Sequence, residues 1–270
     1  MVVQDIVLPG RLVPHGGDAV NANDTIRYQR NLLIAGFGEQ GQKRLGQTRV
    51  AVVGLGGLGS PVSLYLAAAG IGTLGLFDSD EVELSNLQRQ VVHDTPRLGM
   101  GKAESAARTL NALNPGVKLE VHGVRLTAAN ARELLRGYDA VVEATDNFES
   151  KYLLNDVCLD LRKPFATAGI LALSGHAVFV VPGCSPCLRC ISPQIPCGVP
   201  TTAEQGVLGA IPGILGSVEA LEIIRWAVGF WNAQPDGCGL LHSVDGQTMR
   251  LATLRIPRRK DCRCAGLWSR

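Results

Sequence analysis

The sequence predicts an α/β fold, a doubly wound and mostly parallel sheet with helices on both faces and a small antiparallel C-terminal part. Three observations predict it. From Arg49 to Ala168, short apolar runs rich in β-branched residues alternate with segments of helical apolar spacing. The first run ends in a glycine cluster, Gly54-Leu55-Gly56-Gly57-Leu58-Gly59, directly before the first helical segment of that alternation. After Ala168 the alternation stops, and strand-like segments follow around a Cys/Pro/Gly-rich stretch.

In order along the chain, Asp24 to Leu33 has helical spacing, with Asp24 placed as an N-cap, and Glu39 to Leu45 reads as a second short helix. The expected parallel strands are Arg49–Val53, Thr73–Phe77, Val117–Val121, Ala140–Glu143 and Pro164–Ala168. The helices between them are Pro61–Ala69, Lys102–Leu113, Ala128–Leu135 and Phe148–Leu161. Beyond them, His176–Val181, Gly239–Val244 and Met249–Arg255 read as antiparallel strands. Pro182 to Gly206 reads as a long irregular segment, and Ile214 to Val228 as an apolar helix. We expect one domain over 24–270, with a Cys-rich zinc part at about 182–206 and 256–266, and a poorly ordered arm over 1–23.

The 270 residues, 46% of them apolar, suffice for one large α/β core. A net charge of +2 gives no electrostatic case for a nucleic-acid partner. The basic run Arg258-Arg259-Lys260 reads as a solvated tail. No apolar run reaches membrane-spanning length, and Met1 to Asn23 lacks the order of a signal peptide. The expected setting is therefore cytoplasmic, where eight cysteines point to metal or catalysis rather than disulfides.

The strand, glycine turn and helix order places Gly54, Gly56 and Gly59 in G-x-G-x-x-G register. This is a Rossmann-like nucleotide turn, in which backbone N–H groups approach a phosphate at a helix N-terminus. Asp78 ends the next strand, where an acid holds ribose hydroxyls. The polar cluster Ser85-Asn86-Leu87-Gln88-Arg89-Gln90 follows, and Arg89 offers donors suited to phosphate oxygens. Taken alone, this cluster reads equally well as a solvated loop. Lys102 opens a helix, a position where a lone lysine is usually solvated. In Thr145-Asp146-Asn147, the Asp146 carboxylate suits Mg²⁺ beside a triphosphate, or the segment simply caps the following helix. Cys187-Leu188-Arg189-Cys190 and Cys262-Arg263-Cys264 supply four thiols, enough to close a tetrahedral zinc site. The bland alternative is reduced cysteines, with Cys187 and Cys190 in a turn. Cys184 is a spare candidate ligand, and Cys158 reads as a buried filler.

These pieces together resemble the MoeB/ThiF/HesA family, bacterial relatives of the ubiquitin-activating enzymes. The resemblance covers about Thr25 to Gly266. It rests on Arg27-Tyr28-Gln29-Arg30, the glycine turn, Asp78, Leu84 to Gln90, Lys102, Thr145-Asp146-Asn147, the cysteine pairs and Gly206-Val207-Leu208. It implies adenylation of the C-terminal glycine carboxylate of a ubiquitin-like sulfur-carrier protein, with ATP and Mg²⁺ and release of pyrophosphate. By that resemblance the nucleotide meets Gly54, Gly56, Gly57 and Gly59, with Asp78 on the ribose. Ser85, Asn86, Gln88, Arg89 and Lys102 stand around the triphosphate, and Asp146 with Asn147 stands near the metal. Arg30, Arg89 and Asp146 are the expected catalytic groups. Arg30 matches an arginine reaching the ATP of the other subunit, which implies a homodimer. Cys187, Cys190, Cys262 and Cys264 match the zinc ligands, although the second pair is one residue short of the family's C-x-x-C.

The family's loop cysteine, two residues before a glutamate, is replaced here by Thr202, with Glu204 following. A threonine hydroxyl is a weak nucleophile at neutral pH and forms no disulfide. The expectation is that chemistry ends at the acyl-adenylate and an external sulfur donor takes over. Cys197, on the same loop, is the alternative nucleophile. Competing readings are an NAD-dependent oxidoreductase, a non-catalytic scaffold that binds a carrier, and a tRNA-modifying member of the same superfamily. No group is well placed for hydride transfer, and Arg89, Lys102 and Asp146 suit a triphosphate.

Overall fold

The computed structural model describes residues 22–267. Within them runs one eight-stranded sheet of order β3-β2-β1-β4-β5-β6-β7-β8. The parallel strands are β1 (Arg49–Val53), β2 (Thr73–Phe77), β3 (Lys118–His122), β4 (Ala140–Glu143) and the first half of β5 (Phe165–Leu171). Three antiparallel strands extend the same sheet: β6 (Ser174–Val180), β7 (Gly239–Asp245) and β8 (Arg250–Ile256). The expected antiparallel part therefore continues the main sheet. A hairpin turn at Ala172 and Leu173 reverses the chain so that β6 pairs with β5 over its full length.

The helices are α1 (Ala22–Arg27), α2 (Gln29–Leu32), α3 (Gly38–Gln47), α4 (Gly59–Ala69), α5 (Lys102–Leu113), α6 (Ala131–Leu135), α7 (Phe148–Leu161), α8 (Leu188–Ile191), α9 (Thr202–Gln205) and α10 (Ala210–Val228). One apolar cluster joins α3, α4, α5 and α10 through Leu45, Leu66, Leu110 and Leu215 to alternate strand residues such as Val50, Val52, Leu74 and Val142. The other set of strand residues, Ala51, Val53, Phe77, Val141 and Phe165, packs with Leu135 of α6 and Leu154 and Cys158 of α7. Both faces are covered, so β2 is buried throughout and carries no polar alternation.

Three departures from the sequence reading have local causes. Asp24 lies inside α1 rather than at its N-cap, because that helix already starts at Ala22. The expected helix over Asp24 to Leu33 breaks at Tyr28, whose buried ring lies against Gly70. The Tyr28 hydroxyl accepts from Asn114 Nδ2 at 2.8 Å. The helix expected from Ala128 begins at Ala131, because Asn130 Oδ1 accepts from the Thr127 amide and holds the preceding residues in a turn. The expected arm over 1–23 lies almost wholly outside the described residues.

The strand order reverses at β1. The chain runs outward through β2 and β3, then returns to place β4 on the other side of β1. In open α/β sheets this switch point, beyond the carboxyl ends of the strands, is where ligands bind. Gly54 follows β1 and Ala144 follows β4 at that point.

Candidate nucleotide and metal sites

A cleft of about 960 Å³ opens at the switch point. Its floor is the glycine turn. Gly54 has φ +93°, and a Cβ there would lie 2.6 Å from the Ala144 carbonyl oxygen. A Cβ on Gly59 would lie 1.9 Å from the Gly54 carbonyl oxygen. These two glycines are therefore required by close packing between the β1 and β4 ends and the start of α4. Gly54, Gly56 and Gly57 line the cleft, whereas Gly59, expected at the nucleotide, does not, because its place is taken up by packing against the Gly54 carbonyl.

Asp78, at the end of β2, also lines the cleft. Its Oδ2 accepts from the Leu55 amide at 2.7 Å, and its Oδ1 from the Asp80 amide at 2.9 Å. Burial raises the Asp78 pKa, while those two amides and Lys102 oppose the shift. The buried side chain of Lys102, at the first position of α5, reaches Asp80 Oδ2 at 3.2 Å. Asp80 itself is exposed. Arg89 lines the cleft, and its Nη1 donates to the Ser85 carbonyl at 3.0 Å.

Asp146 and Asn147 form the opposite wall. Asn147 caps α7 by accepting from the Ser150 amide at 2.9 Å, so the helix-capping role is realised at Asn147, not at Asp146. Asp146 is exposed, and its Oδ1 accepts a long 3.4 Å contact from Asn147 Nδ2. Ser85, Asn86 and Gln88 lie outside the lining and shape its border. Asn86 Oδ1 accepts from the Glu83 amide at 3.2 Å, and Gln88 Nε2 reaches the Val207 carbonyl at 3.4 Å. Arg30 is exposed on α2 and is not part of its own chain's cleft lining.

Around Asp146 the structure adds a hydrogen-bond network that the sequence reading did not assign. Glu143 is fully buried beneath Asp146, 2.8 Å from Lys151 Nζ. Thr145 donates to Glu143 Oε1 through its amide at 2.8 Å and its hydroxyl at 2.5 Å. Thr167 donates to Oε2 at 2.5 Å, and Lys151 also donates to the Ala168 carbonyl at 2.7 Å. This network fixes the backbone that presents Asp146. Only the hydrophilic Glu143 at the end of an apolar strand signalled it. Gln90 lines the cleft with its buried Oε1 unpartnered.

On the far side of α7, the four cysteine sulfurs lie within 4.8 Å of one another. Cys187 and Cys262 are 3.4 Å apart, Cys190 and Cys264 3.4 Å, and Cys262 and Cys264 3.5 Å. Tetrahedral zinc with Zn–S bonds of about 2.3 Å needs sulfurs separated by about 3.8 Å. The donor set therefore fits zinc, and the short C-x-C brings both its sulfurs into the cluster. Hydrogen bonding to Cys190 and Cys264, followed by burial, pushes the Cys187 thiol up. Cys184 is not a member of the cluster. The intervening arginines clasp α7. Arg189 pairs with both oxygens of Asp156 at 2.9 and 2.8 Å, and Arg263 pairs with Asp160.

Thr202 and the exposed Cys197 both line the cleft. Thr201 caps α9 together with Glu204, whose Oε2 accepts from the Thr201 amide at 2.7 Å. Glu204 thus has a capping role.

The ThiF family model matches residues 28–265. The chain is 41% identical over 265 residues to the adenylyltransferase and sulfurtransferase MOCS3 of Drosophila sechellia, covering 97% of this chain and 57% of that protein. It is 40% identical over 232 residues to MOCS3-2 of Zea mays, covering 85% of this chain and 48% of that one. The chain thus spans about half the length of the curated relatives it matches. Among solved structures it is similar in fold to E. coli MccB, crystallised with MccA-N7isoASN, at a TM-score of 0.77 and 21% identity over 92% of this chain and 76% of that one. It is similar in the same way to PaaA, at a TM-score of 0.72 and 23% identity, covering 94% and 78%. With a family match running from the first buried tyrosine to the last cysteine of the metal cluster, the chain belongs to the ThiF family.

Proposed function

We propose that this chain adenylates the C-terminal glycine carboxylate of a ubiquitin-like sulfur-carrier protein, using ATP and Mg²⁺. The observation that carries the reading is the convergence of the glycine turn, Asp78, Arg89, Lys102 and Asp146 on one cleft at the switch point. The MOCS3 relatives, named for both adenylyl and sulfur transfer, support a sulfur pathway.

The carrier's carboxylate is the nucleophile and is already ionised at neutral pH, so no strong base is needed. It attacks the α-phosphorus, the bond to the β-phosphate oxygen breaks, and pyrophosphate leaves. Negative charge accumulates in that transition state, and cations held in place relieve it. Lys102 and Arg89 fill that role on this chain, and Asp78 takes the ribose hydroxyls. Asp146 is the residue that would hold Mg²⁺, which stabilises the leaving pyrophosphate when bound. Zinc held by Cys187, Cys190, Cys262 and Cys264 would be structural, since four thiolates leave no open position.

Thr202 has no evident base to activate it, so the product is the acyl-adenylate, which an external sulfur donor then attacks. The working form is a homodimer in which Arg30 reaches the partner's nucleotide, and the setting is cytoplasmic. Among the described residues, no helix is long and apolar enough to cross a membrane. Calorimetry separates this reading from an oxidoreductase. Mg·ATP should bind measurably and NAD far more weakly. Tight NAD binding without ATP binding would reject adenylation.

A further inference from the structure

One side chain outside the sites above grips the glycine turn. His93 is 7% exposed and lies between Arg89 and Lys102 in sequence. Its Nε2 is 3.0 Å from the Leu55 carbonyl oxygen, and its Nδ1 is 2.9 Å from Ser105 Oγ. A carbonyl only accepts, so Nε2 carries the hydrogen and Nδ1 accepts from the Ser105 hydroxyl. Burial pushes the His93 pKa down to about 4, which keeps the ring in this neutral form.

The consequence lies in the peptide that follows. The Leu55 carbonyl and the Gly56 N–H belong to one planar trans peptide and point to opposite sides of it. Drawing the carbonyl inward to His93 turns the Gly56 N–H the other way, and Gly56 lines the cleft. Asp78 pins the preceding peptide through the Leu55 amide. Glycines at 56 and 57 leave the Leu55–Gly56 peptide conformationally free unless something holds it. His93 supplies that hold and refers it to α5. Ser105 lies one turn beyond Lys102, and Thr109 of the same helix donates to the Val92 carbonyl at 2.6 Å. Arg97 Nη1 donates to Thr109 Oγ1 at 2.7 Å, fastening the far side of the same segment.

We propose that His93 is a positioning residue that locks the Gly56 N–H towards the cleft, in register with Lys102, so that both donors meet one polyphosphate. The proposal rests on the nucleotide reading of the cleft. The test compares His93→Gln with His93→Asn. A glutamine amide nitrogen stands in for Nε2 and keeps the donor to Leu55. An asparagine amide reaches only the Nδ1 position and loses it. Calorimetry with Mg·ATP and with adenosine, which lacks phosphates, reads the effect below each variant's melting temperature.

His93→Asn should weaken ATP about tenfold, the scale of a lost hydrogen bond to a charged group, and leave adenosine unchanged. His93→Gln should stay within about threefold of wild type for ATP, the lower end of one neutral hydrogen bond. Should His93→Asn fail to fold, Ser105→Ala frees the tautomer and should weaken ATP selectively, by about threefold. Equal ATP affinity in folded His93→Asn and His93→Gln would overturn the role, as would parallel losses for ATP and adenosine. Absence of ATP binding by the wild-type protein would overturn the nucleotide reading and the role with it.

Discussion

Glu219, near the middle of α10, is fully buried, and neither carboxylate oxygen has a hydrogen-bond partner. Burial pushes its pKa well above the usual carboxylate range, the Glu143 charge adds to the shift, and Lys151 opposes it. A folded pKa above the unfolded one means that the folded state binds more protons between the two values. Stability is then full below the unfolded pKa and is lost as pH rises through that window. Glu219→Met should therefore raise the stability of the protein by about 1–3 kcal/mol at pH 8, the usual cost of an unsatisfied buried polar group. The gain should shrink towards pH 4.5. Urea melts at the two pH values check this, and an equal gain at both would contradict it. Glu143, equally buried, differs in its partners: Lys151, Thr145 and Thr167 all donate to its carboxylate. Each stands in an apolar element. Glu143 closes its strand, a place the sequence marks, but the groups that satisfy it come from tertiary neighbours on α7 and β5.

At the level of elements, α7 connects the two sites. Its first turn is capped beside Asp146, and its later turns carry Asn155, Asp156 and Asp160 to the cysteine-rich part. Zinc bound at the cluster would contribute to folding, since the site does not exist in the unfolded chain. Elemental analysis should find about one zinc per chain, the number one Cys₄ site holds. Cys187→Ser should lower both the zinc content and the melting temperature. A fully stable, metal-free wild-type protein would refute the assignment. The elements themselves were largely legible in the sequence. The bounds of β1, β2, β4, α5 and α7 match those read from apolar runs and spacing, because strands and helices covered on their inner faces announce themselves by composition. The break at Tyr28 was not legible, since it depends on a ring slotting against Gly70, far along the chain. The capping of α9 by Thr201 and Glu204 was written in the sequence, but the spacing pointed more loudly to the missing cysteine.

For the whole molecule, the cleft brings together Gly54, Gly56, Gly57, Asp78, Arg89, Lys102, Asp146 and Asn147, while Gly59, Ser85, Asn86, Gln88 and Arg30 lie outside its lining. That arginine is exposed on α2, and the nearby residues Ile26 and Leu33 are 76% and 71% exposed. Action across a dimer interface would reconcile its distance in sequence from the phosphate cluster with the proposed catalytic role. Arg30→Ala and Asp146→Ala should each be inactive alone. Mixed after verified subunit exchange, they should regain part of the activity, because each heterodimer then holds one site with neither lesion. No recovery would place Arg30 outside the partner's site.

Adenylation of a carrier's C-terminus is reversible, so ATP–pyrophosphate exchange reads it without any later sulfur step. Purified protein with Mg²⁺, ATP and labelled pyrophosphate should form labelled ATP only when a ubiquitin-like sulfur carrier ending in a free glycine carboxylate is added. Asp146→Asn should lower the exchange rate on the order of a hundredfold or more, the usual loss when one transition-state electrostatic group is removed. Its melting temperature should be unchanged, because Asp146 is exposed and holds no other element in place. The absence of exchange with every glycine-terminated ubiquitin-like carrier, from a protein shown to bind Mg·ATP, would rule out carrier adenylation.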